Sequence, residues 1–478
     1  MTKHTISLML LAAMLASLAA CGGETGSTDT TAADTAAPET TAAPSEFEPV
    51  TADYKGEKFI IAENDVGDWM QSAFIEEQNG EVLNDSIYDR NRAVEELYNV
   101  DIVGYKIEGG RNVQKLEKLT TSILAGDKEF DVAYIPGQLS SIIFNQPDYV
   151  IPLSDIDTLD LTHSWWDKGS VEAMTIKGST ISATGDMIVS TMGASTITLF
   201  NKKLAADLKM DVYGIVRDGK MTFDKMHELG AQAAMDLNGD TERKGDDDRF
   251  GMALETLNLP QLVLAAGEHL VANDGKTLKF GLGTAKVAEI VETFMDIIDD
   301  RDTVLSAQDK RFEKSELAPT FREDRLMFWV TNLQRMNSAR SYECEFGLIP
   351  YPKYAESDEY VNPVNEYWCS WLIVPATQDD TDRTGNVLEA LGYYGQQKVL
   401  PAFIETAVTT KSLRDNESAE MLEMVLPNKV FDIGNYFDWG YWLLMGMASS
   451  HNRNMASELA ANTAAIEEKI NTYLATFE

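Results

Sequence analysis

The sequence predicts an α/β body of two lobes on parallel-rich sheets, set behind an N-terminal leader and an acidic tether. Three observations lead there. Short apolar strands alternate with helical patterns of about 10–15 residues, which is the signature of βαβ units. That alternation breaks off near residue 180 and then restarts. About 430 residues follow the tether, whereas a single core rarely grows beyond roughly 250–300.

The leader spans residues 1–20. Lys3 and His4 precede an apolar run from Ile6 to Ala20, which ends in Leu18-Ala19-Ala20-Cys21-Gly22. A short positive region, a hydrophobic stretch and small residues at its end form a secretory signal. The run is about 15 residues, short of the roughly 20 that span a bilayer. Cys21 stands where a mature chain would begin. The pattern resembles the lipobox of bacterial lipoproteins, which implies lipidation of Cys21 and anchoring to the outer face of the cell membrane. Residues 21–49 are, apart from Cys21 and Phe47, Gly, Ser, Thr, Ala, Pro, Asp and Glu, without Lys or Arg. Such a composition buries too little apolar surface to offset chain entropy, so it reads as a disordered tether.

The body starts with a strand at Lys58–Ala62. The apolar positions Ile87, Val94 and Leu97 place a helix over Ser86–Tyr98. A strand follows at Asp101–Tyr105, then a helix over Val113–Leu124 with Leu116, Leu119 and Ile123 on one side. Asp131–Ile135 is the next strand, stopped by Pro136-Gly137. The restart is Ser195–Phe200, β-branched and aromatic, leading through Asn201 into a helix over Lys202–Leu208. Thr222 reads as the N-cap of a helix running to Leu237. Further helices are expected over Leu257–Leu264, Val287–Ile298, 384–397 and 455–474, with strands at Leu326–Val330 and Trp371–Val374.

Composition limits the function. With 77 Asp and Glu against 40 Lys and Arg, the net charge is −37. An acidic body repels nucleic acid and anionic lipid and favours neutral or cationic ligands. Beyond Cys21 there are only Cys344 and Cys369. Their spacing leaves a disulfide and two buried thiols equally open, and no metal-binding cysteine pattern occurs. There is no G-x-S-x-G, no H-E-x-x-H and no phosphate loop. Among 77 acidic residues some pair matches any carboxylate spacing, so such a match carries no information about a glycosidase. Binding is therefore expected, and enzymatic activity is not.

The string Asp85-Ser86-Ile87-Tyr88-Asp89-Arg90-Asn91-Arg92, followed by Glu95-Glu96-Leu97-Tyr98-Asn99-Val100, resembles the first helix of bacterial extracellular solute-binding proteins of ATP-binding-cassette (ABC) importers. Leu116–Gly126 with Phe130-Asp131-Val132, and Thr198–Leu204, are similar to later landmarks of that family. Leu161–Asp167, with Trp165-Trp166, resembles its carbohydrate-type branch, family 1. The resemblance covers about residues 55–475. It implies a two-lobed periplasmic-binding-protein-like fold of type II, with the ligand between lobes joined by two or three crossing segments. It places the first lobe at about 50–175 plus part of 310–375, and the second at about 180–305 plus much of 376–478. It further implies membrane permease subunits as partners, a monomer, and no required cofactor.

A sugar site needs aromatic rings against pyranose faces and polar groups directed at hydroxyls. Of eight tryptophans, Trp69, Trp329, Trp368 and Trp439 stand near strand ends or in polar connections and are the expected ligand contacts. Arg335 and Asp438 are expected at hydroxyls. A neutral mono- or oligosaccharide is the expected ligand; a peptide or polyamine is the alternative. One string resembles the start of a calcium loop: Asp236, Asn238, Asp240 and Glu242, with Asp247 at the twelfth position. Thr241 takes the place where that loop demands Gly, so a structural calcium and a solvated acidic turn both remain open.

Overall fold

The computed structural model describes residues 47–64, 72–107, 111–245, 247–306, 317–339, 341–408 and 416–477. Residues 46–478 form one compact unit. Ten strands build its two main sheets: β1 (Glu57–Asn64), β2 (Val100–Ile107), β3 (Val132–Pro136), β4 (Val150–Ile151), β5 (Thr196–Asn201), β6 (Phe250–Leu254), β7 (Val304–Ser306), β8 (Leu326–Asn332), β9 (Phe346–Pro350) and β10 (Ser370–Pro375).

The first sheet has the order β2-β1-β3-β10-β4, and the second β7-β6-β8-β5-β9. In the first, β1 runs parallel to β2 and β3, while β10 is antiparallel to β3 and β4. In the second, β6 is parallel to β7 and β8, while β5 is antiparallel to β8 and β9. The sheets are thus mixed, which corrects the parallel-rich expectation. Local βαβ units give parallel pairs, but β10 enters the first sheet from far along the chain and can lie in either direction.

Side chains alternate across the first sheet. Phe59 and Ile61 pack under Val94, Tyr98, Leu388 and Leu391, while Ala62 faces the opposite layer with Leu116, Leu119 and Ile123. A strand buried on both faces reads as a near-continuous apolar run, as β1 does. Helix boundaries follow their caps. Asn201 accepts from the Leu204 N–H and Thr222 from the Lys225 N–H. The helix after Thr222 spans Phe223–Ala233 and stops short of Leu237. Met235 exchanges backbone hydrogen bonds with Arg249, and the Arg249 side chain caps the Ala233 carbonyl at 2.6 Å.

That helix lies on β6 at a contact between two glycines. A Cβ on Gly251 would fall 2.3 Å from the carbonyl carbon and oxygen of Gly230. Gly251→Ala is therefore expected to destabilise the body by about 1–3 kcal/mol, because backbone must move to admit the methyl. Urea titration checks this, and an unchanged midpoint would refute it.

The sheets are joined by segments bonded to one another. The Asn365 N–H donates to the Ala194 carbonyl and the Thr196 N–H to Asn362 Oδ1. Ser190 and Thr191 bond to Ser370. A third strand, Lys429–Val430, pairs in parallel with Asn362–Pro363. Cys344 and Cys369 are free and buried.

Candidate functional site

Strand ends facing the second sheet define the site. β3 ends at Pro136, and Gly137 follows. Its N–H donates to the Cys369 carbonyl at 2.8 Å, and a Cβ there would lie 2.7 Å from the Glu366 carbonyl oxygen. Only glycine allows the approach, which brings the chain after β3 against the segment 365–369, with Gln138 bonded to Tyr367. In that segment Asn365 Oδ1 accepts from the Tyr367 N–H at 3.0 Å, and its carbonyl accepts from the Trp368 and Cys369 N–H groups. The turn fixes Glu366, Tyr367 and Trp368 immediately before β10.

The second sheet leads into Glu255, one residue beyond β6, and Arg335, three beyond β8. Carboxyl ends of parallel strands are the usual place for ligands in open α/β sheets. The Glu255 N–H is held by Asn258 Oδ1 at 2.7 Å, which directs the residue out of the strand line. Its carboxylate is partly exposed and interacts electrostatically with Arg335 and Glu366. The Arg335 guanidinium lies 5.2 Å from the Trp329 ring centroid.

The C-terminal region supplies the rest. Gly440 at φ +111° starts the helix Tyr441–Ser450 and turns Tyr441 inward. The Tyr441 hydroxyl donates to the buried Glu366 carboxylate and also meets the Tyr367 hydroxyl, which is bonded to Gln138. Trp442, the next residue, is 42% exposed, with its ring edge-on to Tyr441 at 5.1 Å. Its indole N–H donates to Asp438 Oδ1 at 2.9 Å, while Asp438 Oδ2 accepts from the Ser141 hydroxyl at 2.6 Å.

Burial raises the affinity of these carboxyl groups for protons. Glu366 is pushed up to about 7 by desolvation, although the Tyr441 hydroxyl opposes the shift. Glu255 is raised for the same reason, with Arg335 opposing. Away from this cluster, desolvation pushes Asp186 up to about 7. Glu366 and Asp186 bind their protons more tightly folded than unfolded, so their stabilising contribution is complete below the unfolded value of about 4 and is lost as pH rises towards 7. Tm is therefore expected to fall between pH 5 and pH 8, less steeply in Glu366→Gln. A Tm that rises across that window would refute this.

The expected site residues separate clearly. Arg335 interacts electrostatically with Glu255, Trp368 is half-buried in the turn after Asn365, and Asp438 ties Ser141 to Trp442. Trp329 is core, 2% exposed beneath Arg335. Trp439 is also core, at 0% exposure between Phe437 and Tyr473. Trp69 and Cys21 lie outside the described residues. Trp165 and Trp166 are buried, and both indole N–H groups donate to Glu389. Glu255, Glu366, Tyr441 and Trp442 are not singled out by the sequence as candidate contacts. A Gly-Tyr-Trp string after Asp438 was the one available signal.

In the acidic loop, Asp236 accepts from the Gly239 and Thr241 N–H groups, Asn238 from the Asp240 N–H, and Asp240 from the Glu242 N–H. The Lys244 ammonium bridges Asp240 and Glu242. Asp247 stays exposed, and the fully buried Asp248 closes the loop by accepting from the Leu237 and Lys244 N–H groups. Among the described residues no group of three or more His, Cys, Asp or Glu side chains is placed to hold a metal ion.

No family model and no curated protein matches the chain. Solved structures do. A cyclo/maltodextrin-binding protein complexed with maltotetraose aligns at TM-score 0.56 and 14% identity, covering 88% of this chain and 99% of that one. An ABC substrate-binding protein from Listeria monocytogenes in complex with cycloalternan aligns at 0.54 and 10%, over 88% and 99%. The maltose-maltodextrin binding protein of Alicyclobacillus acidocaldarius aligns at 0.53 and 11%, over 87% and 100%. These likenesses establish the fold class as two-lobed, periplasmic-binding-protein-like α/β.

Proposed function

We propose that this protein is the substrate-capturing component of a carbohydrate ABC importer, binding a neutral mono- or oligosaccharide between its lobes. The observation that carries the reading is the aromatic and carboxyl group set at the start of β10 and of the helix Tyr441–Ser450: the buried Glu366 accepting from the Tyr441 hydroxyl, Tyr441 meeting Tyr367, and the exposed Trp442 ring edge-on to Tyr441. Rings of this kind cover the C–H faces of a pyranose, and carboxylates accept paired hydroxyls. The sugars named with the three similar structures support the class of ligand. Nothing in the cluster requires a bond to break. Capture closes the lobes by favouring the ligand-bound arrangement, which membrane permease subunits then read.

The first lobe in this reading is the sheet β2-β1-β3-β10-β4, and the second is β7-β6-β8-β5-β9, with crossings near 190, 365 and 428. Insertion of β10 antiparallel beside β3 supports type II topology. Leu18-Ala19-Ala20-Cys21 supports export and lipidation at Cys21, which would hold a monomer near its permease. A thermal-shift panel of mono- and oligosaccharides, amino acids, peptides and polyamines tests the function. Saturable stabilisation by a sugar without turnover is expected. Stabilisation by a peptide or polyamine alone, or turnover of a sugar, would overturn the proposal.

A further inference from the structure

Among the described residues Trp442 is the one exposed tryptophan, yet its ring is tied down. Its indole N–H donates to Asp438 Oδ1 at 2.9 Å. The other carboxylate oxygen, Oδ2, accepts from the Ser141 hydroxyl at 2.6 Å. Ser141 is buried and opens the short helix Ser141–Phe144 that follows β3. A relay therefore runs from the chain after β3, through one carboxylate, to an exposed ring. The turn that carries Asp438 is seated on the same short helix. Ser140 Oγ donates to the Tyr436 carbonyl at 3.0 Å, and the Phe144 and Phe437 rings stack at 5.5 Å. Asp438 itself has φ +60°, a left-handed backbone that Asp adopts more readily than most residues. Glycine would take that backbone without strain but could not hold the indole.

We propose that Asp438 is a positioning residue of the sugar site: with Ser141 it sets the plane of the Trp442 ring before a ligand arrives. This rests on the reading of Trp442 as a sugar contact. The sequence placed Asp438 at a sugar hydroxyl, whereas each of its oxygens already has a protein donor and it acts through the indole. A pyranose face stacks on a ring only when the ring lies flat against it. An exposed tryptophan turns about two side-chain torsions, and ordering it on binding costs affinity. A charged acceptor holds an N–H more firmly than a neutral one, so the ring is ordered in advance.

Calorimetric titration of the full chain with glucose, galactose, mannose and their disaccharides gives the first test. Asp438→Gly keeps the left-handed backbone and removes both acceptors; it is expected to weaken binding by ~3–10-fold. Asp438→Asn offers an oxygen to the indole and its NH2 to the Ser141 oxygen, and is expected to restore most of that loss. Trp442→Phe keeps a ring without an N–H, so adding Asp438→Gly to it is expected to change affinity by less than ~2-fold. An equal loss in that background means that Asp438 meets the sugar itself and overturns the proposal. Wild-type affinity in Asp438→Gly overturns it too; both outcomes leave the sugar reading standing. Ser141→Ala, which frees one end of the relay, serves should Asp438→Gly fail to fold, and is expected to weaken binding in the same direction. The second test needs no ligand. In protein labelled with fluorotryptophan, the Trp442 fluorine resonance is the one that Trp442→Phe removes. Asp438→Gly is expected to shift and narrow it, as a released ring averages over rotamers; an unchanged resonance overturns the proposal. Failure of every sugar to bind overturns the sugar reading, and the role in binding falls with it, whereas the resonance still decides whether Asp438 holds the ring.

Discussion

Glu389→Ala is expected to destabilise the body by about 3–5 kcal/mol. The Glu389 carboxylate is 5% exposed and gathers four partners from one loop. It accepts from Trp165 Nε1 at 2.9 Å, Trp166 Nε1 at 3.0 Å and the Asp160 N–H at 2.9 Å, and it lies 2.8 Å from His163 Nδ1. Alanine leaves two buried indole N–H groups and a backbone donor without an acceptor. Glutamine keeps one oxygen but brings an NH2 against those donors, so its cost should be smaller and still measurable. Denaturant midpoints at constant m check the pair. A shift below about 1 kcal/mol in the alanine variant would refute the account.

Trp442→Ala is expected to weaken sugar binding by roughly 10–100-fold, the size of a dominant aromatic contact. Stability should barely change, because an exposed ring loses little packing. Trp439→Ala is the informative contrast. That ring is wholly buried, so its removal should cost about 3–5 kcal/mol of stability whatever it does to binding. Calorimetry on both variants decides. If Trp442→Ala binds as tightly as wild type, the ring is outside the site.

These two tryptophans show where sequence reasoning reached its limit. They stand three residues apart in one aromatic string, and composition treats them alike. Gly440, at a left-handed φ, separates them and resets the phase between the turn and the helix. No periodicity carries across such a break, so the exposed ring could not be told from the buried one. Glu366 was hidden differently, as one acidic residue among 77. Its role depends on burial and on Tyr441, which lies far away in sequence. Local physics was readable. The apolar runs of β1, β3, β5 and β10 were placed correctly, as were Asn201 and Thr222 as caps. The acidic loop was located; within it Asp248 is fully buried while Asp247, at the twelfth position, is exposed, a difference that neighbouring aspartates do not reveal in sequence.

The free cysteines bear on how lobe movement can be followed. Burial pushes the Cys344 thiol up to about 11 and the Cys369 thiol up to about 12, so almost no thiolate forms at neutral pH. Maleimide dyes and spin labels react through the thiolate. In a chain started after Cys21, two cysteines placed on opposite rims of the cleft would take the labels while the native pair stayed silent. The separation between the labels could then be followed in single molecules as sugar is added, with no native residue altered to clear the background.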